Sequence, residues 1–159
     1  MLVEPNGRLC GCGSRGCLET VTGKNAIINT MRKTLMDSSP TPPFDTETAI
    51  QEITLDQIVQ AAAHGHPVCA AQLERVGTTL GLVVGDLVNI FNPELIIIGG
   101  YSKEMVLQIL PELRKSTQAR SKLISQEDIV EIRPSQFGAF SSVIGAAALV
   151  YDQLSQTVF

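Results

Sequence analysis

The sequence lacks an excess of positive charge. Its 12 Lys and Arg residues are outnumbered by 16 Asp and Glu residues, which gives a formal net charge of −4 at pH 7. This balance argues against nucleic-acid binding by this segment alone, because nucleic-acid-binding domains present a basic surface to the phosphates. Any DNA contact would have to come from residues outside this chain.

The start of the chain lacks the pattern of a signal peptide. Met1–Pro5 contains neither the basic stretch nor the apolar stretch of a secretory leader. A cytoplasmic location is therefore the default expectation.

The sequence also lacks a long uninterrupted apolar run. The longest apolar stretch, Val76–Phe91, is broken by Asp86 and Asn89, which favours a buried helix of a soluble protein over a membrane span. This stretch contains three glycines spaced four residues apart, Gly77, Gly81 and Gly85. On a buried helix, these glycines would let another element approach the helix backbone closely.

What is present fits an α/β protein. The 159 residues are 44% hydrophobic and 18% charged, which indicates a folded domain or one lobe of a larger protein rather than a disordered chain. We find no internal repeat and no low-complexity tract. Helical spacing, capping patterns and short apolar runs predict a loop followed by alternating helices and strands. The predicted elements are a loop over 1–20, helices over 21–35, 55–65 and 67–91, strands over 95–98 and 129–132, and a final helix over 141–154.

Three details of these elements can be checked. The apolar run Leu95–Ile98 is typical of a strand buried on both faces of a parallel sheet. Ser102 is placed to cap the helix that follows the Gly99-Gly100 turn. Pro111 either kinks that helix or begins a second one.

The sharpest local signal is the group of three thiols at Cys10, Cys12 and Cys17, which are separated by glycines. Zinc prefers a closed tetrahedron of sulfur and nitrogen ligands, and glycines allow the backbone to wrap around so small an ion. A disulfide network is the competing interpretation. It is less favoured because Cys10 and Cys12 are too close for an easy bridge and a third thiol would stay unpaired.

Three thiols leave one position of a zinc tetrahedron to be filled. Cys69 lies in a predicted helix among alanines, where a small buried residue is the favoured interpretation. His64 and His66 flank a glycine at a helix junction and could complete a metal site, although surface histidines at a turn are commoner. The residues alone leave this choice open.

The cysteine pattern resembles a known family signature. The spacing Cys10-x-Cys12-Gly13-x-x-Gly16-Cys17-x-Glu19 is similar to the CxCGxxGCxE signature of the ROK family, named for repressors, open reading frames and sugar kinases. Further segments that resemble the family are Val3–Gly7, Leu80–Glu94, Ile96–Gly100 and Gly145–Ala147.

The resemblance implies a fold and a set of roles. ROK proteins share an actin-like, RNase H-like two-lobed ATPase fold, so the chain would be its C-terminal α/β lobe, with a zinc-binding loop over 1–20 and the lobe proper over 21–159. Cys10, Cys12 and Cys17 would hold Zn²⁺, with a family histidine expected just before Met1. Members of the family are usually dimers or tetramers, so a homo-oligomer is expected.

The resemblance also implies a sugar site. The family's equivalent of Glu19 contacts a sugar hydroxyl, and a carboxylate beside a metal loop is well suited to accept hydrogen bonds from a polyol. A carboxylate favoured by the helix dipole is the competing explanation of Glu19. In the kinases, the segment matching Gly99 and Gly100 lies against the adenosine. A tight turn after the strand explains this pair equally well.

Two family features have no match in these residues. ROK kinases carry an Asp-x-Gly phosphate loop and a catalytic aspartate in an Asn-Asp pair, so this chain alone is not expected to phosphorylate a sugar. The repressors add an N-terminal helix-turn-helix, through which any DNA contact would be made. The glycine between the first two cysteines and the segment Ser135–Gly138 look more like sugar-responsive repressors of the N-acetylglucosamine and xylose type. We favour a regulator over a sugar kinase, and keep a zinc-stabilised structural domain as a third hypothesis.

Overall fold

The computed structural model describes residues 1–38, 42–121 and 130–157. The chain begins with the cysteine loop, and two parallel strands come late in the sequence. The helices and strands, in chain order, are α1 Glu19–Thr22, α2 Lys24–Met36, α3 Glu47–Gln51, α4 Leu55–Ala63, α5 Pro67–Phe91, β1 Leu95–Ile98, α6 Lys103–Arg120, β2 Glu131–Pro134 and α7 Ser141–Thr157, with one 3₁₀ turn at Gly138–Phe140 before α7. The α/β class predicted from the sequence is confirmed.

Local sequence signals account for several helix ends. Thr54 and Gln57 form a reciprocal capping box at the start of α4. His66 caps α5, and Pro67 occupies its first turn, where the missing amide proton costs nothing. Asn92 ends α5 in the left-handed conformation with φ 44°. Ser102 caps α6, as expected, by accepting a hydrogen bond from the Met105 amide at 3.2 Å.

Two predicted boundaries need correction. The helix predicted over 21–35 is divided into α1 and α2, because Gly23 is extended with ψ 149° and interrupts the helical path. The strand predicted over 129–132 is observed at Glu131–Pro134, and Ile129 lies outside the described residues. Pro111 lies inside α6, which runs through it as one helix.

The main core lies between α2, α4, α5 and α6. It is built from buried side chains of these helices together with Phe44, Ile50 and Ile53, which lie between α2 and α4. A second, smaller core fills the space between α5, α6 and the sheet. Among the described residues, no helix combines the length and apolarity needed to cross a membrane.

The three glycines of α5 lie against α6. A Cβ atom on Gly77 would come within 2.6 Å of the Ile109 carbonyl oxygen, and one on Gly81 within 2.4 Å of the Leu113 carbonyl oxygen. The glycines of α5 contact residues of α6 in the same order along the chain, so the two helices run in the same direction. The close approach that the glycine spacing predicts is confirmed.

The prediction that β1 is buried on both faces is wrong. Ile96 and Ile98 pack on the second core, but Leu95 and Ile97 are 42% and 61% exposed. The reason is that β1 pairs with β2 in parallel and the described sheet has only these two strands, with α5 and α6 covering a single face. The second face of the sheet carries no covering element among the described residues.

Candidate functional site

The cysteine loop is folded back on itself by short antiparallel contacts. Leu9 bridges to Arg15, and Leu2 bridges to Cys17, so the two ends of the loop are held together. The Cys10 amide donates to the Ser14 carbonyl at 2.7 Å, and the Gly13 amide donates to the Cys10 carbonyl at 3.0 Å. These bonds form the tight wrap that the intervening glycines were expected to permit.

Gly16 fixes the position of the third cysteine. Its φ is +67°, and a Cβ atom there would overlap the Glu4 carbonyl oxygen, so only glycine fits this turn. The Gly16 carbonyl accepts hydrogen bonds from the Val3 and Glu4 amides at 2.8 and 3.0 Å. Glu4 in turn forms a salt bridge of 2.7 Å with Arg75 of α5, which attaches the loop to the helical core.

The loop brings its three thiols together. The Sγ atoms of Cys10, Cys12 and Cys17 all lie within 4.8 Å of one another, and those of Cys12 and Cys17 are 3.6 Å apart. Zinc–sulfur bonds of about 2.3 Å at tetrahedral angles place two sulfurs about 3.8 Å apart, so this spacing fits one zinc ion. Within the described ranges, no other group of three or more His, Cys, Asp or Glu residues has a spacing that fits a metal.

The thiols of Cys12 and Cys17 shift each other's pKa. Hydrogen bonds from the Ser14 backbone, and then from Cys17 and Cys10, lower the pKa of Cys12 to about 7. The same contact acts in the opposite direction on its partner, because the hydrogen bond to Cys12 raises the pKa of Cys17 to about 11. Of Cys12 and Cys17, it is therefore Cys12 that is favoured as the thiolate, which is the form that binds metal.

The other candidate ligands lie elsewhere. Cys69 is fully buried in the main core, as predicted, and burial raises its pKa to about 11. The sequence-based view of His66 as a surface residue is wrong: it is 7% exposed, because its ring packs edge-on against Phe44 and accepts from the Cys69 amide. His64 is exposed at the end of α4. Neither histidine belongs to the thiol group.

The thiols open onto a cleft of about 600 Å³. Glu19 and Gly99 line it together with the three cysteines, so the structure brings most of the sequence-predicted site residues to one place. Gly100 does not line the cleft; its φ of +85° serves the turn after β1. Gly99 lies against the first residue of α7, since a Cβ atom there would come within 3.1 Å of the Ser141 side chain.

Sequence reasoning missed Tyr101, which also lines this cleft. Its hydroxyl donates to the Thr22 carbonyl at 2.7 Å and so links the turn after β1 to α1. Burial, and to a lesser degree the nearby charge of Glu19, raises the pKa of Tyr101, while the bond to Thr22 acts in the opposite sense. The only sequence signal was an aromatic residue directly after the Gly99-Gly100 turn.

Comparison with known proteins identifies the family. The family model described as "ROK family" matches residues 1–153. The chain belongs to the ROK family. It is 32% identical over 146 residues to the xylose repressor of Caldicellulosiruptor bescii, an alignment that covers 92% of this chain and 36% of the repressor.

Solved ROK structures have the same fold. The chain matches a ROK family transcriptional regulator homologous to Escherichia coli Mlc with a TM-score of 0.72 and 28% identity, over 84% of this chain and 33% of the regulator. It matches a ROK family glucokinase from Streptomyces griseus, solved with glucose and AMPPNP, with a TM-score of 0.76 and 26% identity, over 94% of this chain and 49% of the kinase. The ROK chain spans just over a third of the length of the curated relatives it matches.

Proposed function

We propose that this chain is the sugar-sensing C-terminal lobe of a ROK-family transcriptional regulator, in which residues 1–20 form a zinc-binding loop and 21–159 the lobe proper. The observation that carries the proposal is that Glu19 and the three thiols of Cys10, Cys12 and Cys17 line one cleft. The names of its relatives support it, since they include a xylose repressor and the Mlc repressor of Escherichia coli.

In this proposal the cysteine loop is a structural support. Bound zinc would crosslink a loop that has few apolar residues of its own to hold it. Cys17 lies two residues before Glu19, so the fold of the loop determines where α1 begins and where the carboxylate stands. Glu19 is exposed in the first turn of α1. Its Oε1 atom lies next to Gly23, because a Cβ atom added to Gly23 would be only 2.2 Å from it.

Glu19 would hold the sugar by accepting hydrogen bonds from its hydroxyl groups. A carboxylate accepts on two oxygens and suits a pair of neighbouring hydroxyls, whereas the apolar ring face of a sugar can rest on the aliphatic side of the cleft. Tyr101 lies on the same cleft and is bonded to α1, so its environment should change when the cleft is filled.

We expect substitution Glu19→Gln to weaken sugar binding. Hydrogen bonds to a charged group contribute about 1.5–3 kcal/mol and neutral ones about 0.5–1.5 kcal/mol, so losing the charge should weaken the affinity by roughly fivefold to tenfold. The chain has two tyrosines, and nuclear magnetic resonance of their rings during titration with xylose, glucose and N-acetylglucosamine should show Tyr101 shifting and Tyr151 of α7 unchanged.

Glu47 provides a matched control for this experiment. It is also an exposed glutamate in the first turn of a helix, but it lies on α3 and does not line the cleft. Glu47→Gln should therefore bind sugar as the unmodified chain does. Equal weakening by both substitutions, or no response of Tyr101 to any sugar, would contradict a sugar site at Glu19 and leave the structural-domain hypothesis.

A sugar kinase parent is the second candidate. It is supported by the match to the glucokinase solved with glucose and AMPPNP and by the position of Gly99 on the cleft. We still expect no ADP release by this chain with glucose, N-acetylglucosamine, N-acetylmannosamine, fructose or xylose, because the family's catalytic aspartate and phosphate loop have no match in its sequence. A coupled assay measures ADP release. ADP release that co-elutes with the chain in chromatography would contradict this expectation and favour a sugar kinase.

We also expect the chain to self-associate. Helix α7 exposes six large apolar side chains, Val143, Ile144, Leu149, Val150, Tyr151 and Leu154, and large exposed apolar patches drive association. Sedimentation velocity at micromolar concentration should show a dimer or larger species. Val150→Asp should shift the chain toward monomer, whereas Thr48→Asp, on the exposed side of α3, should not. A monomer at all concentrations would refute this expectation.

A further inference from the structure

The three thiols of the cysteine loop differ in exposure and in anchoring. Cys12 is exposed, whereas Cys10 and Cys17 are half-buried. Cys10 is held on both sides, because its amide donates to Ser14 and its carbonyl accepts from Gly13. Cys12 lies at the tip of the turn, between two glycines around which there is open space. Cys12 is therefore the thiol that a small reagent reaches first and the one freest to move.

The sulfur that faces Cys12 is that of Cys17. The two Sγ atoms are in hydrogen-bond contact at 3.6 Å. A disulfide needs about 2.05 Å, so a shift of roughly 1.5 Å by Cys12 would close the bond. Cys10 and Cys12 are separated by one residue, and a bridge between neighbours so close would be strained. The geometry singles out the pair Cys12 and Cys17.

We propose that Cys12 and Cys17 form a reversible disulfide that competes with metal binding, which makes the loop a redox-sensitive site. The competition rests on the metal site proposed above, whereas the disulfide itself rests only on the arrangement of the thiols. The oxidant is a peroxide, and the reductant that reverses the reaction is a small thiol such as glutathione.

The chemistry balances in two steps. The Cys12 thiolate attacks one oxygen of hydrogen peroxide, the O–O bond breaks, and protonation gives a sulfenic acid and one water. The Cys17 sulfur then attacks the Cys12 sulfur, the S–O bond breaks, and a second water leaves. Two electrons pass from the two sulfurs to the peroxide. A small thiol reverses the reaction by two exchange steps and is itself oxidised to a disulfide.

Disulfide formation removes two of the three thiolate ligands. Cys10 alone would remain, and one thiolate does not hold zinc in competition with water and buffer. Because Cys17 stands two residues before Glu19, oxidation would also alter the start of α1, on the side of the cleft where the sugar site is proposed. The redox state of the loop would thereby change the position of Glu19, the residue proposed to bind the sugar.

The test uses the whole chain, both metal-free and zinc-loaded, treated with a small excess of hydrogen peroxide. Trypsin cuts after Arg8, Arg15 and Lys24, which places Cys10 and Cys12 on one peptide and Cys17 on the next. Mass spectrometry without reduction should show these two peptides linked. From the zinc-loaded chain, release of one zinc ion per disulfide should be seen with a colorimetric zinc indicator, and dithiothreitol should restore both thiols.

Three variants identify the pair. Cys10→Ser should still form the linked peptides, whereas Cys12→Ser and Cys17→Ser should not. Cys69→Ala, which removes a thiol buried in the core, should behave as the unmodified chain. Linked peptides that persist in Cys12→Ser, bridges between two chains, or sulfinic and sulfonic acids in place of a disulfide would each overturn the proposal.

The two proposals fail in distinguishable ways. If the reduced chain binds no zinc but the Cys12–Cys17 disulfide forms, the metal site is wrong and the redox site stands without the competition. If the reduced chain binds zinc and peroxide yields no Cys12–Cys17 disulfide, the redox site is wrong and the metal site stands.

Discussion

Replacing Cys12 with serine is expected to remove most bound zinc from the chain. Cys12 supplies one of three thiols whose Sγ atoms lie within 4.8 Å of one another, and serine keeps its size but cannot provide a thiolate. Substitutions in the outer shell of metal sites already weaken affinity by about 10–100-fold, so losing a direct ligand should cost more than about 100-fold. Elemental analysis after dialysis, and competition with a chelator, measure the loss.

The matched control is Cys69→Ala. Cys69 is the fourth cysteine of the chain, but it is buried in the main core and takes no part in the thiol group. This variant should keep a full equivalent of zinc. If Cys12→Ser keeps a full equivalent as well, the metal lies elsewhere and the assignment of this loop is wrong.

Zinc binding should weaken as the pH falls. The thiols must lose their protons to bind, and the raised pKa of Cys17, about 11 without metal, means that binding displaces a proton at neutral pH. Affinity measured between pH 6 and pH 8 should therefore rise with pH.

A Gly-His pair added ahead of Met1 should tighten binding, because Met1 lines the same cleft as the cysteines and the added imidazole can supply a fourth ligand.

The parts of the fold that the sequence predicted are those encoded by neighbouring residues. Helix α5 was predicted from Pro67 to Phe91 because residues at its two ends determine where it begins and ends. A proline occupies its first turn, and Asn92-Pro93 follows its last residue. The thiol group was predicted for the same reason, since its members lie within eight positions and glycines shape the turn between them.

What the sequence did not predict depends on distant partners. The exposure of Leu95 and Ile97 follows from what covers the sheet, which a four-residue apolar run does not encode. His66 is buried by Phe44, more than twenty positions away. Tyr101 joins the cleft through a bond to Thr22, 79 residues earlier in the chain. The position of Gly99 on the thiol cleft was not predicted, because the resemblance associated this residue with the adenosine of the kinases.

The second large effect is expected at the contact between α5 and α6. We expect Gly81→Ala to destabilise the chain by about 1–3 kcal/mol, although alanine is the better helix former by about 1 kcal/mol. The added Cβ atom would come within 2.4 Å of the Leu113 carbonyl oxygen and 2.6 Å of the Ser116 Cβ atom, and a helix backbone cannot yield locally. The helices would have to separate, which would also break the hydrogen bond from the Thr117 hydroxyl to the Gly81 carbonyl.

Gly145→Ala is the matched control for this prediction. Gly145 is also a glycine within a helix, but a Cβ atom there meets nothing within 4 Å. It should leave the stability unchanged or raise it by up to about 1 kcal/mol through helix propensity alone. Urea denaturation followed by circular dichroism compares the two variants with the unmodified chain. Equal midpoints for Gly81→Ala and Gly145→Ala would mean that α5 and α6 do not pack backbone to backbone at Gly81.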